Sequence, residues 1–367
     1  MHCIDVGLEE RGYSVRVGSG ILPRLGRHCR ELDLGSRVAV ISDEAVAECY
    51  LRPVVSSLEE TGYKVLDVVF SGGETAKSLE AADSQVFAPM IDAELDRGAW
   101  VLALGGGVVG DLAGFVAATF LRGIEYVQVP TSIVAQVDAS IGGKTAVNHR
   151  LGKNLIGAFH QPRLVYIDTQ VLKTLPQREV VAGLAEVVKH GMIRDEELFA
   201  FMEEHLDEAL AMELRPEMLD WLIARNVEIK VGVVEADEKE GGLRAILNYG
   251  HTIGQAIEAA TEYKRYRHGE AVILGMIGAG EIALRKGLWP GAERRRQDAL
   301  LERMGVPGGL AGVSTDRILA RTRADKKRLD GRSRFVLARR IGEVEIVDGV
   351  EEEVVRAGVE YVKRNYG

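Results

Sequence analysis

The chain has 367 residues, 46% of them apolar and 28% charged, which excludes a disordered protein and is more than one modest core holds, so two domains are expected. With 46 Lys and Arg against 55 Asp and Glu, the net charge of -9 excludes a nucleic-acid or anionic-membrane binder held by overall charge. Any anionic ligand must therefore meet a local basic cluster.

Cys3, Cys29 and Cys49 are odd in number and lack CxxC spacing, so they predict neither a disulfide framework nor a zinc knot. The opening MHCIDVGLEERG carries no apolar leader, and no apolar run reaches the roughly 18 residues a membrane span needs. The expectation is a cytoplasmic protein with no nucleic-acid or membrane partner.

In the first half, the β-branched runs Arg37 to Ile41, Tyr63 to Phe70 and Trp100 to Leu104 alternate with helical patterns such as Glu44 to Glu60. Strand, helix, strand repetition predicts parallel pairing. The segment WVLALGGGVVG reads as a buried strand ending at Leu104, a turn Gly105-Gly106-Gly107, and a helix from near Val108. Such glycines let backbone approach a pyrophosphate, and the helix N-terminus offers it free N–H groups and a positive dipole end. The spacing is not GxGxxG, and tight helix-on-strand packing is the plain alternative. Gly72, Gly73 and Glu74, with Lys77 beyond, follow a second strand, and Asp43 follows a third. Carboxylates at that edge of a parallel sheet take ribose hydroxyls, so the three features together predict NAD or a relative.

After Leu175-Pro176 the stretches Arg178 to Ile193, Glu196 to Met212 and Pro216 to Ala236 have helical periodicity, and helices dominate to about Leu329. Two β-like pieces, Arg334 to Ala338 and Val344 to Val347, precede a last helix, Glu351 to Tyr366. The predicted fold is thus an α/β N-terminal Rossmann-like parallel-sheet domain over residues 1–177 plus a mainly α-helical C-terminal domain over 178–367, the first for NAD and the second for metal and substrate. Arg294 to Arg296 reads as a solvated helix face.

Glu186, His251 and His268 supply three of the four ligands of a catalytic zinc site and leave one position open. His190, four residues after Glu186 on one helix, is a rival ligand that spacing alone does not remove. Lys189 lies one turn from Glu186, and Arg244 and Asn248 precede His251 by seven and three residues on the same helical face. With Lys144, Lys153 and Asn154 they form a basic set suited to a small substrate bearing carboxylate and phosphate groups. Solvated lysines are the plain alternative for each taken singly.

The blocks GGGVVGDLAGFVAATFLRG, VPTSIVAQVDASIGGKTAVN, GKNLIGAFHQP, TLPQREVVAGLAEVVKHG, LNYGHTIG and HGEAV closely resemble the 3-dehydroquinate synthase family of sugar phosphate cyclases, over about residues 35 to 345. The resemblance implies conversion of 3-deoxy-D-arabino-heptulosonate 7-phosphate to 3-dehydroquinate and phosphate, a phosphate-eliminating carbon-oxygen lyase step of the shikimate pathway. It implies NAD and a divalent metal, zinc or cobalt, held by Glu186, His251 and His268. The NAD-contacting positions it implies are Asp43, Glu74, Lys77, Gly106, Gly107, Asp111, Thr131, Ser132 and Thr174, with Lys144 and Lys153 contributing to cofactor and substrate alike. Catalytic and substrate-binding positions fall on Asp138, Lys144, Lys153, Asn154, Lys189, Lys230, Arg244 and Asn248. Arg122 would serve the neighbouring subunit of a homodimer, and Lys326 or Lys327 would lie near the site. One departure stands out, because the family pattern GHTxGHA has a second His where this chain has Gln255. Cyclases of the 2-deoxy-scyllo-inosose or valiolone type and metal-dependent polyol dehydrogenases share parts of this set, and a non-catalytic NAD module would have lost the metal ligands.

Overall fold

In chain order the main elements are β1 (His2–Val6), β2 (Tyr13–Gly18), β3 (Arg37–Asp43), β4 (Lys64–Phe70), β5 (Trp100–Gly105), α1 (Gly107–Thr119), β6 (Glu125–Pro130), β7 (Lys144–His149), β8 (Gly152–Phe159) and β9 (Leu164–Asp168). There follow α2 (Gln177–Arg194), α3 (Glu196–Leu210), α4 (Pro216–Ala236), α5 (His251–Ala260), α6 (His268–Arg285), α7 (Gly291–Arg303), α8 (Thr315–Lys326), β10 (Arg334–Arg340), β11 (Glu343–Asp348) and α9 (Glu352–Tyr366). The computed structural model describes residues 1–305, 308–326 and 334–367, with 324–326 as backbone alone. The chain forms two compact units, Met1–Leu175 with Arg215–Lys239, and Pro176–Leu214 with Glu240–Gly367.

The first unit is built on a seven-stranded sheet of order β1-β2-β9-β6-β5-β3-β4, in which only the β1–β2 pair is antiparallel. Alternation along the strands feeds two apolar layers. Ala39, Ile41, Val101 and Ala103 pack with Val109, Leu112 and Val116 of α1, while Val38, Val40, Trp100, Leu102 and Leu104 pack with Leu25, Val54 and Leu58. Strand order reverses between β3 and β5: the chain steps outward to β4, crosses back to β5, then continues to β6 and β9. Asp43 and Gly105 end the two strands at that switch point, where open α/β sheets bind ligands.

The parallel strands expected from Arg37, Tyr63 and Trp100 are all present. The helical periodicity of α4 was also legible, but not its placement. It packs on β1 and β2 within the first unit, tied by Glu235, which accepts from the Gly7 N–H at 2.6 Å, and by Asp220, which accepts from the Thr169 hydroxyl at 2.5 Å. A helical period reports an apolar face, not which core receives it. The antiparallel hairpin β7–β8 had no counterpart among the expected elements.

In the second unit α6 is buried from Gly269 to Ala283 and forms the central helix. Glycines bring α5 against it: a Cβ at Gly275 would stand 1.8 Å from the Gly250 carbonyl oxygen, and one at Gly254 2.8 Å from that of Ala271. The expectation of a solvated Arg294 is corrected. Arg294 is buried between Glu281 at 2.7 Å and Asp298 at 3.3 Å, with its guanidinium 4.5 Å from the Tyr361 ring centroid. It lies on the α7 face that also buries Gln297 and Leu301, whereas Arg295 and Arg296 are exposed. Among the described residues no helix is long and apolar enough to cross a membrane.

Candidate active site

Within the second unit, Glu186 comes from the middle of α2, and His251 and His268 are the first residues of α5 and α6. Glu186 Oε1 stands 3.7 Å from His251 Nε2 and 3.6 Å from His268 Nε2, and the two nitrogens are 3.2 Å apart. Ligand atoms about 2.0–2.1 Å from a tetrahedral zinc are separated by roughly 3.3 Å, so this triangle fits three corners of such a site.

The ring tautomers agree with that fit. His251 Nδ1 faces the Tyr249 carbonyl at 3.2 Å and His268 Nδ1 faces the Glu258 carboxylate at 3.0 Å. Both partners only accept, so each Nδ1 carries the proton and each Nε2 presents a lone pair. With both rings neutral, two such lone pairs cannot hydrogen-bond each other, whereas one cation satisfies both. Burial pushes the His251 pKa down to about 4 and keeps the ring neutral, as a ligand must be. At His268 burial is the largest single cause and acts in the same direction, but the Glu258 and Glu186 carboxylates together outweigh it and hold the pKa above the ordinary value.

The local chain explains how His251 is delivered. Tyr249 (φ -55°, ψ 125°) and Gly250 (φ 78°, ψ -23°) have type II turn angles, which demand glycine at the second position. This turn ends the short 3-10 helix Leu243–Asn248 before α5 begins. Arg244, Asn248 and His251 therefore do not share one helical face, which corrects that expectation. Arg244 is buried, and Asn248 Nδ2 donates to Glu240 Oε1 at 3.2 Å. Lys189 does lie one turn from Glu186, with its Nζ 2.5 Å from Glu186 Oε2 and both groups buried. His190, buried on the same helix, is not one of the three converging residues.

Within the first unit Asp43, Glu74, Lys77, Gly106, Gly107, Thr131, Ser132 and Thr174 lie at or after the carboxyl ends of strands, whereas Asp111 lies on α1 and Lys144 and Lys153 on the β7–β8 hairpin. Asp43 Oδ1 accepts from the Val46 N–H at 3.0 Å. The three turn glycines differ in kind. A Cβ at Gly105 would stand 2.4 Å from Val109 Cγ2, so packing requires that glycine. At Gly106 and Gly107 the nearest atoms would be 3.5 and 3.6 Å away, ordinary contact, so packing does not require these two. Gly106 also caps α1 without a side chain, leaving the open N-terminus that a pyrophosphate fits.

Thr131 N donates to the Gly105 carbonyl at 3.0 Å, Ser132 Oγ accepts from Ala135 N at 3.3 Å, and the Thr174 hydroxyl bonds Tyr50 at 2.7 Å. Lys77, buried, pairs with Asp111 and donates to Asn154 Oδ1 at 2.5 Å. Burial drives the Asp111 pKa up against the pull of Lys77. Asn154, in the left-handed region at φ 55°, donates its N–H to Asn148 Oδ1 at 3.0 Å. Asn148 Nδ2 donates to Glu74 Oε1 at 2.7 Å, and Lys153 Nζ lies 3.7 Å from the same oxygen. Glu74, Lys77, Asp111, Lys153 and Asn154 are thus one connected network.

Lys230 on α4 donates to the Asp138 carbonyl at 2.6 Å and to its Oδ1 at 2.5 Å. Lys144 opens β7 and is exposed. Leu121, Arg122 and Gly123 have successive φ values of 49°, 76° and 117°, a conformation that side chains other than glycine resist. Lys326 is described as backbone only, and Lys327 lies outside the described residues.

Three residues went unforeseen. Glu258 was detectable as the seventh residue after His251, on one helical face. Tyr249 acts through a backbone carbonyl, and Asn148 lies in the unforeseen hairpin; neither left a pattern to read.

The fold is shared with sugar phosphate cyclases. It matches 2-epi-5-epi-valiolone synthase from Streptomyces hygroscopicus, a structure with NAD+ and Zn2+ bound, at TM-score 0.88 and 29% identity, covering 96% of this chain and 97% of that one. A 2-deoxy-scyllo-inosose synthase complexed with carbaglucose-6-phosphate, NAD+ and Co2+ matches at TM-score 0.87 and 27% identity, covering 98% and 99%. Glycerol dehydrogenase from Schizosaccharomyces pombe, at TM-score 0.66 and 16% identity over 95% of this chain and 88% of that one, shares the fold alone.

Sequence resolves the class further. Residues 67–182 match the family described as 3-dehydroquinate synthase N-terminal, and residues 183–328 match 3-dehydroquinate synthase C-terminal. The 3-dehydroquinate synthase of Rippkaea orientalis is 46% identical over 359 residues, 96% of this chain and 97% of that protein. That of Pelobacter propionicus is 48% identical over 355 residues, 97% and 98% of the two chains. The chain belongs to the 3-dehydroquinate synthase family.

Proposed function

We propose that this chain converts 3-deoxy-D-arabino-heptulosonate 7-phosphate to 3-dehydroquinate and phosphate, an NAD- and metal-dependent lyase reaction that ends in an intramolecular aldol closure. The observation that carries the reading is the intact Glu186-His251-His268 triangle in a chain 46% identical to a 3-dehydroquinate synthase over nearly its whole length. When bound, NAD takes and returns a hydride, and zinc or cobalt polarises the oxygen at which that exchange occurs.

Glu186, His251 and His268 would hold the metal. The open turn at Gly106 and Gly107, with Asp43, Glu74, Lys77, Asp111, Thr131, Ser132 and Thr174, would hold NAD. Lys189 offsets the burial of the Glu186 carboxylate and keeps an ammonium beside the ligand set, able to donate to a substrate hydroxyl. Asp138, held by Lys230, is the carboxylate that would order a hydroxyl proton or a water. Phosphate gains charge as it leaves, and Lys144, Asn154 and Arg122 are the donors assigned to it. Arg244 and Lys230 are assigned to the substrate carboxylate, with Asn248 beside them in role. The same reading makes the protein a cytoplasmic homodimer in which Arg122 serves the neighbouring subunit.

The test is product identification by nuclear magnetic resonance after incubating purified protein with substrate, NAD and zinc. A 3-dehydroquinate signal is expected. No reaction with this substrate, alongside turnover of a sugar phosphate lacking a carboxylate, would overturn the assignment.

A further inference from the structure

His251 and His268 are held by unlike partners. The His251 side chain is 10% exposed and its Nδ1 meets a main-chain carbonyl that the type II turn fixes. The His268 side chain is 39% exposed, so packing alone leaves its ring room to rotate. Its Nδ1 instead meets Glu258, a buried side chain whose Oε2 is 3.0 Å away.

The placement of Glu258 follows from α5. His251, Gly254 and Glu258 succeed one another at intervals of three and four, so they share one face. Gly254 is where that face meets α6, in a contact that leaves no room for a Cβ. One helix thereby supplies a ligand, His251, and the side chain that holds the other histidine.

We propose that Glu258 is a positioning residue of the metal site: it fixes His268 in the Nδ1-protonated tautomer and in the rotation that directs Nε2 to the point shared with Glu186 and His251. The inference rests on the reading of those three residues as metal ligands. A histidine ligand anchored through its second nitrogen commonly loses ten- to a hundredfold in metal affinity when the anchor is removed.

The test uses the full chain stripped with a chelator and titrated with Co2+ and Zn2+ against a chromophoric competitor. The cobalt absorption spectrum and the thermal midpoint of the metal-free protein are recorded in parallel. Glu258→Gln keeps an acceptor at the same reach and is expected to stay within about threefold of wild-type affinity. Glu258→Asp keeps the charge but draws it back by one methylene, and Glu258→Ala removes the group. Both are expected to lose ten- to a hundredfold in affinity and to shift the cobalt bands. Wild-type affinity and spectrum in the Asp and Ala variants would overturn the inference. So would a Gln variant as weak as the Asp variant is expected to be, beside an Asp variant that binds normally, since charge rather than position would then matter. Should the Ala variant fail to fold, the Gln and Asp pair decides. Absence of binding in the wild type would overturn the metal-site reading as well, whereas normal wild-type binding with unaffected variants overturns this inference alone.

Discussion

Gly254→Ala separates the stability of the helical unit from the geometry of its ligand set. The new methyl would sit 2.8 Å from the Ala271 carbonyl oxygen and 3.0 Å from its carbon, where ordinary contact begins at 3.4 Å. The neighbouring backbone must therefore give way by about 0.6 Å, the difference between those oxygen contacts. Replacing Gly by Ala inside a helix gains roughly 1 kcal/mol, and overpacking costs typically about 1–3 kcal/mol. These effects oppose each other, so the metal-free protein is expected to lose no more than about 2 kcal/mol. Metal geometry has less latitude, since ligand distances are held to about 0.2 Å. The displacement exceeds that tolerance and falls on α5 between His251 and Glu258, so metal affinity is expected to drop at least about tenfold, or about 1.4 kcal/mol. Thermal unfolding of the metal-free protein gives the first quantity and competitive titration with Zn2+ the second. A folded Gly254→Ala variant with wild-type zinc affinity would refute the argument that this close helix contact sets the ligand triangle.

Lys77→Met leaves the partly buried Asp111 carboxylate, 19% exposed, without its cation, a change expected to cost about 1–3 kcal/mol and to lower the urea midpoint. Lys77→Met/Asp111→Leu should recover most of that loss, and a single variant as stable as the wild type would contradict the pairing. Burial holds the Cys29 thiol pKa up at about 12, while Cys3 and Cys49 are exposed, so native protein should react with a thiol reagent at the latter positions alone. Because the folded pKa is raised, this contribution is fully present below about pH 9 and is lost as pH climbs towards 12, on the order of 2 kcal/mol by pH 10.5. Wild type should therefore lose more stability than Cys29→Ala between pH 7.5 and pH 10.5, and equal losses would count against it. Gln255, exposed one turn beyond His251, does not titrate near neutrality, so Gln255→His should add a limb near pH 6.5 to the pH–rate profile. Identical profiles would exclude a role for that position.

What the sequence made legible follows from what each feature depends on. Strands β3 and β5 are apolar runs buried on both faces, and β4, half-exposed at the sheet edge, still carries Val65, Val68 and Val69; such runs announce themselves. The hairpin β7–β8 carries Gly, Asn and Lys at half-exposed positions and does not. Glu186, His251 and His268 could be nominated from residue type and context, but choosing His268 over His190 required either the family resemblance or the three-dimensional convergence. The helical reading from Arg244 to His251 failed because Gly250, at φ 78°, ends one helix and begins another, and a single glycine in an apolar pattern does not reveal which it does. Arg294 looked solvated beside two other arginines, while its partners Glu281 and Tyr361 lie on different helices. Contacts of that kind are fixed by helix packing, which periodicity does not encode.

The central claim is a redox-neutral, metal-dependent phosphate elimination, and its most direct test is stoichiometric. Purified protein is given 3-deoxy-D-arabino-heptulosonate 7-phosphate, zinc and less NAD than substrate, and phosphate release is followed together with NADH absorbance. Many phosphates released per NAD are expected with no NADH accumulating, a reaction abolished by a chelator and restored by zinc or cobalt. Phosphate release capped at the amount of NAD, steady NADH formation, or full activity in the chelator would contradict the claim.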